Sequence, residues 1–508
     1  MVDWSNLRGL LRDRPLLCLW WLLLWLVEAA AVGLLAAVLV FGWLNQGLGW
    51  PTFLTGGLIA LLVGWFRLQQ RSLQLQRHTS AAKRLGRRLV VSPLVVVFAL
   101  VLVSVWQLWA GGLLPLTTGR ENDLHRLFTA LERNYPYFSM KQIDWSAMQS
   151  EYLPKLQAAE SDDRFLEVLG EFLAGLHDLH TGVTAPYRLA GWRGFLAVRP
   201  IAGQAVVTAV RAGLELPGLA PGAVILRRNE QSIQAFVDSL PLSLRSSSTP
   251  WSAEAGAYSL LGSARESDEL FLTYLGTDGV THSEQLVWQP AFDQPHTTRR
   301  AAVSAERLDS GLGLIRVNSL SGGFSLVDQF NQALDSLIAA PGIILDLRSN
   351  GGGSSLLGDA MAGRFLEQGF IYGQEHYRQR LPQRAWAKSA SYQVRPRGKT
   401  YTGDLVVLVG TNTASSAEML AVALKDSGRA TLVGQTTAGG SGNPLQFAIA
   451  GGMVRFSTGD FQRNDGTPIE GAGIAPDILV NWTVEDVAAG RDPDLLAAAA
   501  ILHQMSGK

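Results

Sequence analysis

Cysteine is almost missing: the 508-residue chain has one, Cys18, inside an apolar run. That excludes an intrachain disulfide and a cysteine metal cluster, and Cys18 does not read as a thiol nucleophile. Charge is also scarce. Asp, Glu, Lys and Arg make up 17% of the chain, against about 25% in an ordinary soluble protein. The 43 basic and 43 acidic residues cancel, so no nucleic-acid partner is expected. There is no internal repeat, no low-complexity tract, no Gly-Lys-Ser/Thr phosphate loop, no Gly-x-Gly-x-x-Gly dinucleotide pattern and no His-Glu-x-x-His helix. One close pair of histidines, His177 and His180, lacks an identifiable third ligand, so no metal site is expected.

The charge deficit sits in the N-terminal region. Apolar stretches run from about Leu16 to Leu44, Gly49 to Phe66 and Leu89 to Leu114. Each can cross a hydrocarbon core ~30 Å thick, which takes about 20 helical residues. The first lacks a signal peptide's short apolar region and small-residue cleavage site, so it reads as retained. Arg8, Arg12 and Arg14 precede it. Arg67, Arg71, Arg77, Lys83, Arg84, Arg87 and Arg88 separate the second and third stretches, and residues 45–48 carry no charge. The positive-inside rule then places the N-terminus and the basic loop in the cytoplasm. Three crossings of the lipid bilayer put the rest of the chain on the far side of the cytoplasmic membrane, in a bacterium the periplasm or exterior. Trp43, Trp50, Trp65, Trp106 and Trp109 fit interfacial anchors. Glu28 reads either as a headgroup-level residue of an interfacial segment or as a functional intramembrane carboxylate. Residues 1–118 are therefore expected to be a three-helix membrane anchor.

The remainder changes texture twice. Residues 119–188 read as a helical cap: Leu124, Leu127, Phe128 and Leu131 recur at helical spacing, as do Phe165, Leu166, Val168, Leu169, Phe172, Leu173 and Leu176. Residues 189–300 break into short β runs such as Ala205–Val210 and Leu270–Leu275. Residues 301–508 alternate: strand Leu312–Val317, helix Leu326–Ile338, strand Gly342–Leu347, a helix after Gly353, strand Asp404–Val409, a helix after Ala414, strand Thr431–Gly434. That order argues for βαβ units in an α/β fold.

Two segments concentrate chemistry. In Ile343-Ile-Leu-Asp-Leu-Arg-Ser-Asn-Gly-Gly-Gly353 a buried strand runs into three glycines and a helix. Such a loop can cradle a phosphate or an oxyanion. In Val406-Val-Leu-Val-Gly-Thr-Asn-Thr-Ala-Ser-Ser-Ala-Glu418 a strand ends and a helix begins near Ser415. On the local pattern Ser415 is either an N-cap or a hydroxyl activated by the positive helix end, with the Ser416 N–H free for an oxyanion.

The paired segments Leu345-Asp-Leu-Arg-Ser-Asn-Gly-Gly-Gly and Thr413-Ala-Ser-Ser-Ala-Glu, followed by Ala423-Leu-Lys-Asp-Ser-Gly-Arg-Ala and Val433-Gly-Gln-Thr-Thr-Ala-Gly, resemble the C-terminal processing (tail-specific) serine peptidases. The resemblance covers roughly Glu121 to the C-terminus. It implies a ClpP/crotonase-like superhelical α/β core with Ser415 as nucleophile and an oxyanion hole from Gly351, Gly352 and the Ser416 N–H. One departure is informative: Gly440 of Thr437-Ala-Gly-Gly-Ser441 stands where the Ser/Lys branch carries its lysine. Lys425 reads as a surface residue. The chain is more similar to the tricorn-core branch, which uses Ser, His and Glu. Leu176-His-Asp-Leu-His-Thr-Gly182 resembles that branch's Asp-Gly-His-Thr segment, with His180 at the catalytic position and Leu179 in place of the usual glycine. Pro468-Ile-Glu-Gly-Ala-Gly-Ile-Ala-Pro-Asp477 resembles the segment that carries the glutamate, here Glu470. A Ser415/His180/Glu470 triad is thus expected, with Asp178 and Asp477 as turn or capping residues. Gly218-Leu-Ala-Pro-Gly-Ala-Val-Ile-Leu-Arg-Arg-Asn-Glu-Gln looks like a degenerate PDZ core; the alternative is an ordinary structural β insertion. The resemblance implies hydrolysis of protein or peptide substrates with no cofactor. The rival is a catalytically silent binding or scaffold protein of the same fold.

Overall fold

The computed structural model describes residues 119–184, 192–265, 269–288, 301–378 and 388–506. The three expected membrane spans, with Glu28 and the basic loop, lie outside the described residues. No described helix is long and apolar enough to cross a membrane.

The sheet that positions the site has the strand order Val303–Arg307, Gly313–Val317, Gly342–Asp346, Asp404–Val409, Thr431–Gly434, Ile478–Leu479. The first pair is antiparallel and every later pair is parallel. Helices Ser325–Ser336, Ser355–Ala362 and Ser416–Asp426 follow successive strands. Strand Asp404–Val409 shows why the sheet forms here. Leu405, Val407 and Val409 pack into one core cluster, with Phe330, Met361, Leu420 and Leu424, while Val406 and Leu408 pack into another, with Ala498 and Leu502 of the C-terminal helix Pro493–Ser506. Both faces are covered, so the strand reads as a continuous apolar run.

The cap has three helices, Arg120–Asn134, Trp145–Gln157 and Asp162–Ala174. The Asp144 and Ser161 side chains accept from the Ala147 and Arg164 N–H groups and fix the starts of the last two. Phe128, Phe138, Trp145 and Phe172 form one aromatic contact group between them. The cap is less purely helical than its sequence suggests: Gly182–Thr184 is a strand paired antiparallel with Gly452–Phe456. This pairing brings the end of the cap into the C-terminal half, so the segment that carries His180 is held at both ends.

Residues 192–288 hold an antiparallel sheet whose strands include Leu196–Ile201, Gln204–Val210, Val224–Arg228, Leu270–Leu275 and Thr281–Leu286. The Val224–Arg228 strand turns at Asn229 and Glu230, φ 44° and 64°, into Gln231–Ser232. Two left-handed residues give the tight turn suited to a two-residue hairpin. The module is also less purely β than expected: helices Ile233–Ser239, Leu242–Arg245 and Pro250–Ser259 interrupt it. The last was signalled by Thr249-Pro250, a cap followed by a proline at the first helical position.

Candidate active site

The parallel pair Gly342–Asp346 and Asp404–Val409, central in the sheet, delivers both chemical loops to the carboxyl ends of its strands. Thr413 joins them. Its hydroxyl donates to the Leu347 carbonyl at 3.0 Å and accepts from the Gly410 N–H at 3.0 Å. The Ala414 N–H donates to the Asn350 carbonyl at 3.1 Å, and the Ser416 hydroxyl donates to the Gly353 carbonyl at 2.8 Å.

Ser415 heads helix Ser416–Asp426 with φ 57° and ψ −128°. An ordinary N-cap serine has extended backbone. Positive φ in a non-glycine residue is costly and survives only where surrounding contacts impose it. Those contacts are present. The Ser415 N–H donates to the Gly440 carbonyl at 3.0 Å and to Glu418 Oε2 at 2.8 Å. Glu418 is fully buried and also accepts from the Thr437 hydroxyl and from the Gly439 and Gly440 N–H groups, at 2.8 and 3.1 Å. Burial pushes its carboxyl up to about 7, against the pull of these donors. Glu418 ends the nucleophile motif, yet the sequence did not mark it as part of the site.

Gly352 has φ +98°, and a Cβ there would lie 2.7 Å from Ser415 Cβ, 2.8 Å from the Ala414 carbonyl oxygen and 3.1 Å from the Ser416 nitrogen. The Gly352 N–H donates to Asn350 Oδ1 at 2.9 Å. What Gly352 supplies beside Ser415 is therefore space. The Ser416 N–H, first in its helix, has no intrahelical acceptor and is the donor best suited to an oxyanion. Gly351 precedes these residues on the exposed side of the same loop.

His180 lies in a loop built by Asp178, whose carboxylate accepts the His180 N–H at 2.8 Å and the Thr181 hydroxyl at 2.6 Å. Asp178 is the turn residue expected of it. Asp477, expected in the same role, instead ties distant segments together: it accepts the Leu432 N–H and pairs with Lys425. The imidazole of His180 is buried, and its Nδ1 has no hydrogen-bond partner among the described residues. Burial lowers its pKa; Arg455 and Lys141 push the same way, while Asp178 and Glu375 oppose. The neutral imidazole, the form a base requires, is favoured. His177, the rival, meets Ser246 Oγ through Nδ1 at 3.1 Å.

Glu470 is 2% exposed. Its Oε1 pairs with Lys141 Nζ at 2.5 Å and its Oε2 accepts the Ser441 N–H at 2.9 Å. Burial pushes its carboxyl up to about 8; Asp178 adds to the rise and Lys141 opposes it. Among the described residues no hydrogen bond joins Glu470 to His180. Lys141, which no motif singles out, stands between the acid and the histidine loop.

Leu179 and Gly440, two departures from family pattern, are one feature. A Cβ at Gly440 would lie 2.6 Å from Leu179 Cδ2 and 3.2 Å from Leu179 Cβ. Leu179 fills the space that a side chain at residue 440 would need.

With this geometry in place, similarity to known proteins can be weighed. Residues 311–480 match peptidase family S41, and residues 117–174 match the tricorn protease C1 domain. The chain is 32% identical over 181 residues to the carboxy-terminal processing protease CtpA of Bacillus subtilis (strain 168), covering 35% of this chain and 36% of that protein. It is 27% identical over 395 residues to the putative tricorn protease homolog 2 of Streptomyces coelicolor, covering 72% of this chain and 30% of that one. It is 27% identical over 369 residues to a chloroplastic C-terminal processing peptidase of Tetradesmus obliquus, covering 69% of this chain and 75% of that one. The chain thus spans about a third of the length of the first two relatives. Among solved structures, mature CPAF superposes with a TM-score of 0.60 at 17% identity, over 76% of this chain and 95% of that one. That likeness establishes a shared fold.

Three outcomes follow from the site's geometry. Gly352→Ala should slow reaction at Ser415 by about 100-fold, because the added Cβ would displace the nucleophile; a mutant that reacts at the normal rate would refute the close approach. Glu418→Gln should lower the unfolding free energy by roughly 2–4 kcal/mol in denaturant titration, because an amide nitrogen cannot accept the N–H groups left facing it. Gly440→Met should cost roughly 1–3 kcal/mol by overpacking, and Leu179→Gly in the same chain should recover part of that loss. Strict additivity in this double-mutant cycle would sink the proposed complementarity.

Proposed function

We propose that the chain is a membrane-anchored serine peptidase that cleaves protein or peptide substrates through Ser415, His180 and Glu470. The observation that carries this reading is Ser415 itself: a serine with positive φ at a helix start, packed against a glycine that leaves room beside it. Ser415 also caps its helix in a capping box with Glu418, but capping requires neither feature.

The chemistry runs as acyl transfer. Ser415 Oγ attacks the scissile carbonyl while neutral His180 takes its proton. Negative charge that develops on the carbonyl oxygen is met by the Ser416 N–H and the positive end of its helix. His180 then returns the proton to the departing amine, and water hydrolyses the acyl-enzyme by the same route. Glu470, as a carboxylate, offsets the charge of the transient imidazolium. The β module, if PDZ-like as its hairpin motif suggests, would guide an extended peptide by strand addition. The basic N-terminus and the basic loop between the expected second and third spans support a catalytic domain on the non-cytoplasmic side.

The pH dependence has a definite sign. The reaction needs His180 neutral and Glu470 ionised, so the higher of the two pKa values sets the acid limb. His180 is lowered and Glu470 is raised to about 8. Hydrolysis and phosphonate labelling should therefore rise with pH through about 8, rather than level off near the ordinary histidine value. The full-length protein in detergent should be labelled by a fluorophosphonate, and Ser415→Ala should abolish both labelling and peptide hydrolysis. Persistent labelling of the Ser415→Ala protein would overturn the assignment.

A further inference from the structure

Lys141 lies in the turn that follows the first cap helix, where its own N–H donates to the Tyr137 carbonyl at 2.9 Å. Its side chain leaves that turn and enters the site. The ammonium pairs with Glu470 Oε1 at 2.5 Å, with the two side chains 10% and 0% exposed. The same Nζ donates to the His177 carbonyl at 2.5 Å, three residues before His180. The Tyr137 ring backs it, with Nζ 5.2 Å from the ring centroid. Tyr137 is in turn fixed from the far side, its hydroxyl donating to the Gly459 carbonyl at 2.7 Å and to the Ser441 carbonyl at 3.2 Å. One side chain thus touches the acid, the histidine loop and the aromatic residue that braces Ser441, whose N–H holds the other oxygen of the acid.

We propose that Lys141 is a positioning residue of the peptidase site: its ammonium is the direct cation that opposes protonation of Glu470, and it ties that carboxylate to the loop that carries His180. The inference rests on the peptidase reading above. The groups that act on Glu470 come from every segment around it. Asp178 of the histidine loop is a second carboxylate in its field, and Tyr135 and Tyr137 of the cap are buried beside both. The Ser441 N–H and the Ser248 side chain donate to it. Lys141 supplies the direct cation. A buried carboxyl next to another carboxylate takes up a proton unless a positive partner opposes this. A neutral Glu470 cannot offset an imidazolium at His180. Arg455 and Lys141 also act on His180 from its other neighbours, with Asp178 and Glu375 in opposition, so loss of Lys141 favours the charged imidazole as well as the neutral acid. Both changes move the working form of the site to higher pH.

The test is the rate of fluorophosphonate labelling at Ser415 as a function of pH. It compares full-length wild type with Lys141→Met, Lys141→Gln and Lys141→Arg, each checked by its melting temperature. The glutamine variant can still donate to the His177 carbonyl without the charge, and so separates electrostatics from packing. The two neutral variants should label about tenfold more slowly at pH 7, with the acid limb displaced upward by about one pH unit, and approach the wild-type rate at high pH. Lys141→Arg should keep the wild-type limb. A neutral variant with the wild-type limb overturns the inference. So does a loss of labelling that is uniform across pH and that arginine does not rescue, since that outcome assigns Lys141 to packing alone. Absence of Ser415 labelling in wild type at every pH would instead overturn the peptidase reading, and the inference with it.

Discussion

The buried carboxylate of Glu418 is the constraint on which the site depends. It accepts from the N–H of Ser415 and from three donors of the Thr437–Gly440 segment. Without it, the Ser415 N–H would keep only the Gly440 carbonyl, and the donors of that segment would lose this acceptor in the interior, where an unpaired group costs about 1–3 kcal/mol. With it, the strained turn at Ser415 and the Thr437–Gly440 segment become one unit. The rest of the site is assembled on that segment. The Gly439 carbonyl accepts the Gly471 N–H and so sets the turn that carries Glu470. The Ala438 and Thr437 carbonyls accept from Thr249 and Trp251 of the β module. The space above Gly440 is filled by Leu179, one residue from His180.

This arrangement explains how distant segments meet with little slack. The nucleophile comes from a strand end, the histidine from a cap loop pinned by the Gly182–Thr184 strand, and the acid from a turn near the C-terminus. The serines between helices Leu242–Arg245 and Pro250–Ser259 of the β module reach the same place. Ser246 meets His177 and Ser248 accepts the Leu179 N–H. Any displacement of the module would therefore be felt first at the histidine loop, through short side chains with few rotamers to absorb it.

Much of the fold was legible because its signals are local. Strands Asp404–Val409, Leu270–Leu275 and Thr431–Gly434 lie where their apolar runs place them, and the helix after Ala414 starts one residue past Ser415. The strand Gly182–Thr184 was hidden because three residues carry no periodicity, and the module's helices Ile233–Ser239 and Leu242–Arg245 were hidden by their shortness. Ser415, Gly352, His180 and Glu470 were visible through motif; Glu418 and Lys141 were not. The Lys141–Glu470 pair spans 329 residues of sequence, and a lysine in a polar turn has the composition of an ordinary solvated loop. Its meaning comes only from the burial of the carboxylate opposite.

The relation of Leu179 to Gly440 bears most directly on mechanism. From sequence these were two unrelated departures, one that weakened the match at the histidine loop and one that removed a lysine. In the folded chain they occupy a single volume, since a side chain at residue 440 would run into Leu179. A base contributed from residue 440 is thus excluded on size as well as on residue identity. Neither residue needs to touch substrate for this to hold, because what they set is which volume is filled.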